Sequence, residues 1–193
     1  MATIVLARHG ETDWNRDNRF QGHADPTLNE AGREQSRALA ERLAGDGIAA
    51  VYASPLQRAK ETAEIVAGRL ELPVSTVEAL REIDVGEWSG LTRTEVEERF
   101  PEAFARWLDY AHGWEHGETY EALGARVLPA LLDLARRHNG ERILVVTHGG
   151  PIRAVAAQAA GIGYGEARRQ ATVVGNCAVV LYAAESGELT RID

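Results

Sequence analysis

Ile4-Val5-Leu6-Ala7-Arg8-His9-Gly10-Glu11-Thr12-Asp13-Trp14-Asn15 is the stretch around which the rest of the chain can be arranged. An apolar run, Ile4 to Ala7, stops abruptly at a cation, an imidazole and a glycine. In α/β proteins, ligands bind beyond the carboxyl ends of parallel strands. Gly10 lacks a Cβ, so the backbone can turn sharply there and a ligand can come close. His9 then stands at a strand tip with Arg8 beside it. That pair suits a nucleophile whose phosphoryl target needs its oxygens held by a guanidinium.

The pattern recurs further on. Arg142 to Thr147 contains a second buried run, Ile143-Leu144-Val145-Val146, which also ends in an imidazole and glycines, His148-Gly149-Gly150. Pro151 reads as the start of a helix to about Ala160, which puts His148 just before a helix N-terminus, where anions are favoured. Between these two strands, Ser54-Pro55-Leu56-Gln57 reads as another helix start. Ser54 is the expected cap, Pro55 fits the first position and Gln57 would close a capping box. Arg58 then lies in the first turn, where both its charge and the helix end favour an anion. Two strands ending in His-Gly, together with Arg8 and Arg58, read as one phosphate pocket.

The remaining elements alternate between strand and helix. Asn29 can cap a helix to about Leu43. Ala50–Ala53 and Pro73–Val77 read as short strands. Leu80 to Gly90 mixes carboxylates, apolar residues and glycines, and Thr92 to Glu95 forms a capping box for a helix to about Phe100. Pro101 restarts the helix, with Phe100, Phe104 and Trp107 at packing intervals. His112 to Gly117 reads as irregular. Thr119 can cap a long helix to about His138, with Leu128, Leu131, Leu132 and Ala135 on its buried side and Pro129 expected to kink or split it. Ala178–Tyr182 and Leu189–Ile192 read as closing strands.

Composition narrows the function classes. The chain has 193 residues, with 29 Asp and Glu against 21 Lys and Arg, a formal net charge of -8. That balance disfavours nucleic acid or an anionic membrane as the main partner, although a basic pocket can sit inside an acidic envelope. Cys177 is the one cysteine, so no disulfide forms within the chain and a reducing compartment, the cytoplasm, is the simplest inference. The first strand starts by about Thr3, which leaves no room for a signal peptide, and no apolar run approaches membrane-spanning length.

Other motifs fail on context. His112-Gly113-Trp114-Glu115-His116 fits a zinc-binding spacing, but that spacing needs a regular helix and Gly113 and Gly117 oppose one. Gly161, Gly163 and Gly165 lack dinucleotide-binding spacing and follow a helix. Neither a phosphate-binding G-x-x-x-x-G-K-[ST] loop nor a G-x-S-x-G nucleophile elbow is present. No metal or organic cofactor is expected.

Arg8-His9-Gly10-Glu11-Thr12 with Asn15 resembles the signature of the histidine phosphatase superfamily, the phosphoglycerate mutase-like proteins. Phe20-Gln21-Gly22 with Asp25, Leu28 and Gly32 resembles the family's next block. Ser54-Pro55-Leu56-Gln57-Arg58-Ala59 resembles the block carrying its second phosphate arginine, and Leu80-Arg81-Glu82 with Gly86, Trp88 and Gly90 the block carrying its acid/base. Val146-Thr147-His148-Gly149-Gly150 resembles its second histidine block. The order of these blocks along nearly the whole chain makes the resemblance specific. It implies a three-layer α/β/α sandwich with a mostly parallel central sheet, in a single domain over residues 1–193 with a lid-like helical insertion at about 88–120.

The resemblance also implies roles. His9 would attack phosphorus and become phosphohistidine, kept neutral by its arginine neighbours. Arg8, Asn15, Arg58, His148 and Gly149 would hold the phosphoryl oxygens. Glu82 would protonate the leaving oxygen and then activate water, which requires a raised pKa. Gln21 and Gly22 would touch substrate. Glu118-Thr119 resembles a further family element whose role is left open.

The implied activity is a metal-independent phosphatase acting on a small phosphorylated metabolite. A phosphoglycerate mutase is the nearest rival, and a non-catalytic binding protein on the same fold a more remote one. In the family, mutases carry a longer, basic insertion. Here the segment from Trp88 to Tyr120 has Arg93, Arg99 and Arg106, no lysine and seven carboxylates, which favours the phosphatase. Half of the chain's twelve aromatics fall between residues 100 and 120. Tyr110 and Trp114 lie off the packing stripe and could face the pocket, with Trp114 a candidate substrate contact. The carboxylates of this region would repel a second phosphate unless Arg93, Arg99 or Arg106 turns inward, so bulky, partly apolar monophosphates are expected to be preferred to bisphosphates. The substrate's identity and the oligomeric state are not legible.

Overall fold

The structure, a computed structural model, describes residues 1–170, 174–185 and 187–192. Its elements run β1 (Ala2–Arg8), α1 (Asp13–Arg16), α2 (Glu30–Leu43), β2 (Ile48–Ala53), α3 (Gln57–Leu70) and β3 (Val74–Thr76). After two 3-10 turns, Glu78–Leu80 and Gly86–Trp88, come α4 (Arg93–Arg99), α5 (Pro101–Leu108), α6 (Tyr120–Arg137), β4 (Arg142–Thr147), α7 (Gly149–Ala159), α8 (Tyr164–Gln170), β5 (Val179–Glu185) and β6 (Glu188–Arg191).

The strands form one sheet in the order β3-β2-β4-β1-β5-β6. β3, β2, β4 and β1 are parallel neighbours, and β5 and β6 add on antiparallel. The two runs that end in His-Gly are the central strands β1 and β4. Both are covered on both faces, which explains why they read as continuous apolar runs rather than alternating ones.

Alternation along the strands still decides which core each side chain joins. Ile4 and Leu6 of β1, with Ile143 and Val145 of β4, pack on the face covered by α6 and α7. Val5 and Ala7, with Leu144 and Val146, pack on the face covered by α2 and α3. The result is the three-layer sandwich expected from the sequence. Among the described residues, no helix is long and apolar enough to cross a membrane.

Three local readings are corrected. α3 begins at Gln57, and its N-cap, Leu56, makes no side-chain cap bond. Ser54 is committed elsewhere, and Asp25 of the preceding loop instead accepts from the Gln57 amide at 2.6 Å. Pro129 does not split α6, which runs unbroken over 18 residues. Pro129 and Ala125 are both exposed, so the carbonyl that the proline leaves without a donor faces water. The buried side of α6 is Tyr120, Leu123, Val127, Leu131, Leu134 and Ala135, whereas Leu128 and Leu132 are only partly covered.

Gly10 also serves a different end than expected. A Cβ there would lie 2.5 Å from the Gly32 carbonyl oxygen, so its smallness admits the start of α2 rather than a ligand. α7 opens at Gly149, two residues earlier than read, with His148 as its N-cap. α8 had no counterpart in the sequence reading.

Candidate active site

Sheet register brings the two histidines together. β1 and β4 are parallel, with Arg8 opposite Thr147. The His9 amide continues the ladder by donating to the Thr147 carbonyl at 3.0 Å. Both imidazoles therefore leave the sheet at the same end, and their ring centroids are 5.2 Å apart. Both are buried.

A neighbouring carbonyl fixes the tautomer of His9. His9 Nδ1 is 2.6 Å from the Gly10 carbonyl oxygen. A carbonyl can only accept, so Nδ1 carries the hydrogen and Nε2 keeps its lone pair. His148 Nε2 is 2.7 Å from Ser54 Oγ, and that oxygen also accepts from the Leu56 amide. Ser54 Oγ can give or accept the hydrogen in that contact, and His148 Nδ1 is buried with no hydrogen-bond partner among the described residues. Burial, then Arg58, then Arg8 hold His9 well below the usual imidazole range. Burial and Arg58 do the same to His148. Both rings are neutral near pH 7.

Two arginines flank them. Arg58 is fully buried, and its terminal nitrogens donate to the carbonyls of Ala24 at 2.7 Å and Gly22 at 2.9 Å. Burial pushes it down to about 10. Arg8 donates to the Val174 carbonyl at 2.6 Å and is also lowered by burial. The Nε atoms of both arginines are buried with no partner among the described residues. A buried, unpaired guanidinium donor calls for an anion.

Glu82 completes the cluster from the loop between the 3-10 turns. Its Oε1 accepts from the amides of Ile83 and Gly150, each at 2.9 Å. A Cβ at position 150 would come within 2.2 Å of that oxygen, so glycine is what lets the carboxylate approach α7. Oε2 is left free to hold or take a proton. The Glu82 carbonyl accepts from His23 Nε2 and from Arg126, both at 2.8 Å. Arg126 also donates to the carbonyls of Ala79 and Arg81 and forks onto the Glu118 carboxylate at 2.6 and 2.7 Å. This gives Glu118 a concrete role: it anchors the arginine that holds the backbone of Glu82.

These groups open into a cavity of about 430 Å³. Asn15 and Gln21 line it. Asn15 spends its Oδ1 on the Thr12 amide, which leaves its NH2 group for a ligand, and Gln21 has its Oε1 buried without a partner. Gly22 lines the cavity too, while its carbonyl steadies Arg58. Among the described residues, the Gly149 amide at the start of α7 has no hydrogen-bond partner. Trp114 borders the cavity, but it is 4% exposed and its indole N–H goes to the Glu118 carbonyl, so it offers a ligand only a ring edge. Asn176, absent from the sequence reading, donates to the His9 carbonyl at 3.0 Å and reaches toward Asn15.

The net acidity of residues 88–120 is not carried into the cavity. Arg19, Arg93, Arg153 and Arg168 line it together with Arg8 and Arg58, and Glu82 is the one carboxylate among its lining residues. The electrostatic reason for disfavouring a doubly anionic substrate therefore falls. Among the described residues, no three His, Cys, Asp or Glu side chains are grouped to hold a metal.

The sequence profile of the histidine phosphatase superfamily (branch 1) matches residues 4–192. The chain belongs to this superfamily. Among curated relatives, phosphoserine phosphatase 1 of Hydrogenobacter thermophilus is 38% identical over 157 residues, covering 80% of this chain and 74% of that protein. Among solved structures, YhfR of Bacillus stearothermophilus superposes with a TM-score of 0.92 at 34% identity, covering 99% of this chain and 95% of that one. A phosphoserine phosphatase from Entamoeba histolytica, solved with phosphoserine bound, gives a TM-score of 0.86 at 26% identity, covering 100% of this chain and 96% of that one. Structural neighbours of this histidine phosphatase thus bind small phosphorylated ligands.

Proposed function

We propose that this histidine phosphatase hydrolyses phosphomonoesters by way of a phosphohistidine at His9. One observation carries the reading: a neutral His9 with Nε2 unprotonated lines one cavity with Arg8 and Arg58, whose buried Nε donors have no hydrogen-bond partner among the described residues. Such donors suit the equatorial oxygens of a phosphoryl group in flight, and being fixed in place they need little reorganisation. Asn15 and the Gly149 amide add to the set.

In the first step, His9 Nε2 bonds to phosphorus as the ester P–O bond breaks, and Glu82 Oε2 gives its proton to the departing oxygen. In the second, Glu82 takes a proton from water, the water oxygen bonds to phosphorus, and the P–N bond breaks to return neutral His9. The arginines supply the positive charge that other phosphatases take from metal ions. Gln21 and Gly22 contact the rest of the substrate, and residues 88–120 form the cover over it within one catalytic domain. The free, buried thiol of Cys177 supports a cytoplasmic setting.

The test is release of inorganic phosphate from nitrophenyl phosphate in EDTA, with a phosphoglycerate mutase assay in parallel. Phosphate release that survives EDTA is the expected result. Loss of activity in EDTA restored by zinc, or mutase turnover faster than hydrolysis, would contradict the reading.

A further inference from the structure

The turn from Gln21 to Ala24 touches both halves of the chemistry. It is closed by the Ala24 amide, which donates to the Gln21 carbonyl at 2.9 Å. Gly22, at φ 50°, lies so close to the Glu82 loop that a Cβ there would be 2.7 Å from Val85 Cγ2. The carbonyls of Gly22 and Ala24 accept from Arg58. His23, between them, reaches the acid instead, with its Nε2 2.8 Å from the Glu82 carbonyl oxygen. A carbonyl only accepts, so Nε2 carries the hydrogen. His23 Nδ1 is 3.9 Å from Asp84 Oδ2, too far for a hydrogen bond. Among the described residues, the Glu82 carbonyl is thus the one hydrogen-bond partner of this ring. The side chain is 30% exposed, so filling the core is not its main task.

That carbonyl belongs to the peptide that fixes the acid. On the other side of the same peptide, the Ile83 N–H donates to Glu82 Oε1 at 2.9 Å. The peptide group is planar and trans, so its C=O and N–H point in opposite directions and turn together. Holding the oxygen therefore aims the N–H at Oε1, which the Gly150 amide of α7 takes from the other side. A donor on the carbonyl also polarises the amide and strengthens the hydrogen bond that the N–H makes. Oε2 is left as the oxygen that exchanges the proton. Arg126 is the second donor to this carbonyl, but its guanidinium is shared with the carbonyls of Ala79 and Arg81 and with the Glu118 carboxylate. The bond from His23 serves Glu82 alone.

We propose that His23 is a positioning residue for the general acid. It holds the Glu82–Ile83 peptide so that Glu82 Oε2 faces the leaving oxygen, and it ties that alignment to the turn that holds Arg58. This role rests on the hydrolase reading above and adds one residue to it. A hydrogen bond to a backbone carbonyl needs a donor rather than a charge. Glutamine, whose side-chain amide reaches about as far as imidazole Nε2, can therefore replace His23 in part.

Two substrates and a set of variants test it. Glycerol 3-phosphate loses an alkoxide that must be protonated, whereas nitrophenyl phosphate loses a group that needs no proton. The readout is kcat/KM for each, with inhibition by inorganic phosphate as the measure of the arginine–histidine grip. His23→Ala lowers kcat/KM for glycerol 3-phosphate by about ten- to a hundredfold, the scale set by a catalytic group displaced by about an ångström. The loss on nitrophenyl phosphate is far smaller, and phosphate inhibition holds. His23→Phe, which keeps a ring but no donor, behaves as His23→Ala does, and His23→Gln recovers much of the loss. In a Glu82→Gln background, His23→Ala lowers kcat/KM for glycerol 3-phosphate no further, because a residue that acts through Glu82 has nothing left to position.

Wild-type rates in both His23→Ala and His23→Phe would overturn the role, as would a loss that multiplies with that of Glu82→Gln. Equal losses on both substrates with weakened phosphate inhibition would also overturn it, since His23 would then support the turn and Arg58 rather than the acid. Each of these outcomes leaves the wild type a working phosphatase and sinks the role of His23 alone. No phosphate release from either compound by the wild type sinks the hydrolase reading and this role with it.

Discussion

At the scale of single residues, the site depends on where protons sit. His9 presents a lone pair at Nε2 because the Gly10 carbonyl claims the hydrogen at Nδ1. NMR of labelled imidazoles should show His9 and His148 still neutral as pH falls through the usual imidazole value of about 6.5, with the Nδ1–H tautomer in His9. A ring that protonates near 6.5 would contradict the electrostatics described. Glu82→Gln should lower turnover of alkyl phosphates by about 10²–10⁴. It should lower that of nitrophenyl phosphate far less, because nitrophenolate leaves without a proton. Equal losses on both would move the acid to another group. Gly150→Ala gives an independent check. Its methyl group would meet the end of the flexible Glu82 side chain, so Tm should change little while alkyl phosphate turnover falls as in Glu82→Gln.

Among elements, the informative contact is between α6 and the loop that carries Glu82. Arg126 ties three loop carbonyls to the Glu118 carboxylate in one turn of chain. Arg126→Met removes the side-chain donor from the Ala79 and Arg81 carbonyls and the cation from the largely buried Glu118 carboxylate, so a loss of about 2 kcal/mol or more is expected in denaturant unfolding. kcat for alkyl phosphates should fall more than KM rises. A variant as stable and active as wild type would show the strut to be dispensable. The strand tips were legible in the sequence because an apolar run that stops at His-Gly has few other readings. The capping box at Ser54 was not, because the hydroxyl that suits a helix end suits the His148 ring better, and that ring lies 94 positions away. α8 is short, with Gly163 before it and Gly165 inside it, so it left no periodic signal. Arg153, Arg168 and Arg126 looked like ordinary surface arginines, since what distinguishes them is which residues they face across the fold.

In the whole molecule, two neutral histidines sealed at the end of the central strands make stability depend on pH. Their folded pKa values lie below the unfolded value of about 6.5. As pH falls through 6.5, the unfolded chain therefore binds protons that the folded chain does not. Stability should be flat above about pH 7 and fall below 6.5, by up to about 1.4 kcal/mol per pH unit for each ring. Urea unfolding at pH 7.5 and 5.5 measures this, and equal stability at both would contradict the buried, neutral assignment. The sheet that seals these rings also presents Nε2 of His9 to the cavity, and the most direct test of the function is whether that atom takes up phosphate. The wild-type enzyme, mixed with ³²P-labelled phosphomonoester and quenched in alkali within the first turnovers, should carry acid-labile, base-stable label on the peptide containing His9. His9→Ala should fold, carry no label and show no turnover. Label on another residue, or wild-type turnover by His9→Ala, would contradict phosphoryl transfer through His9.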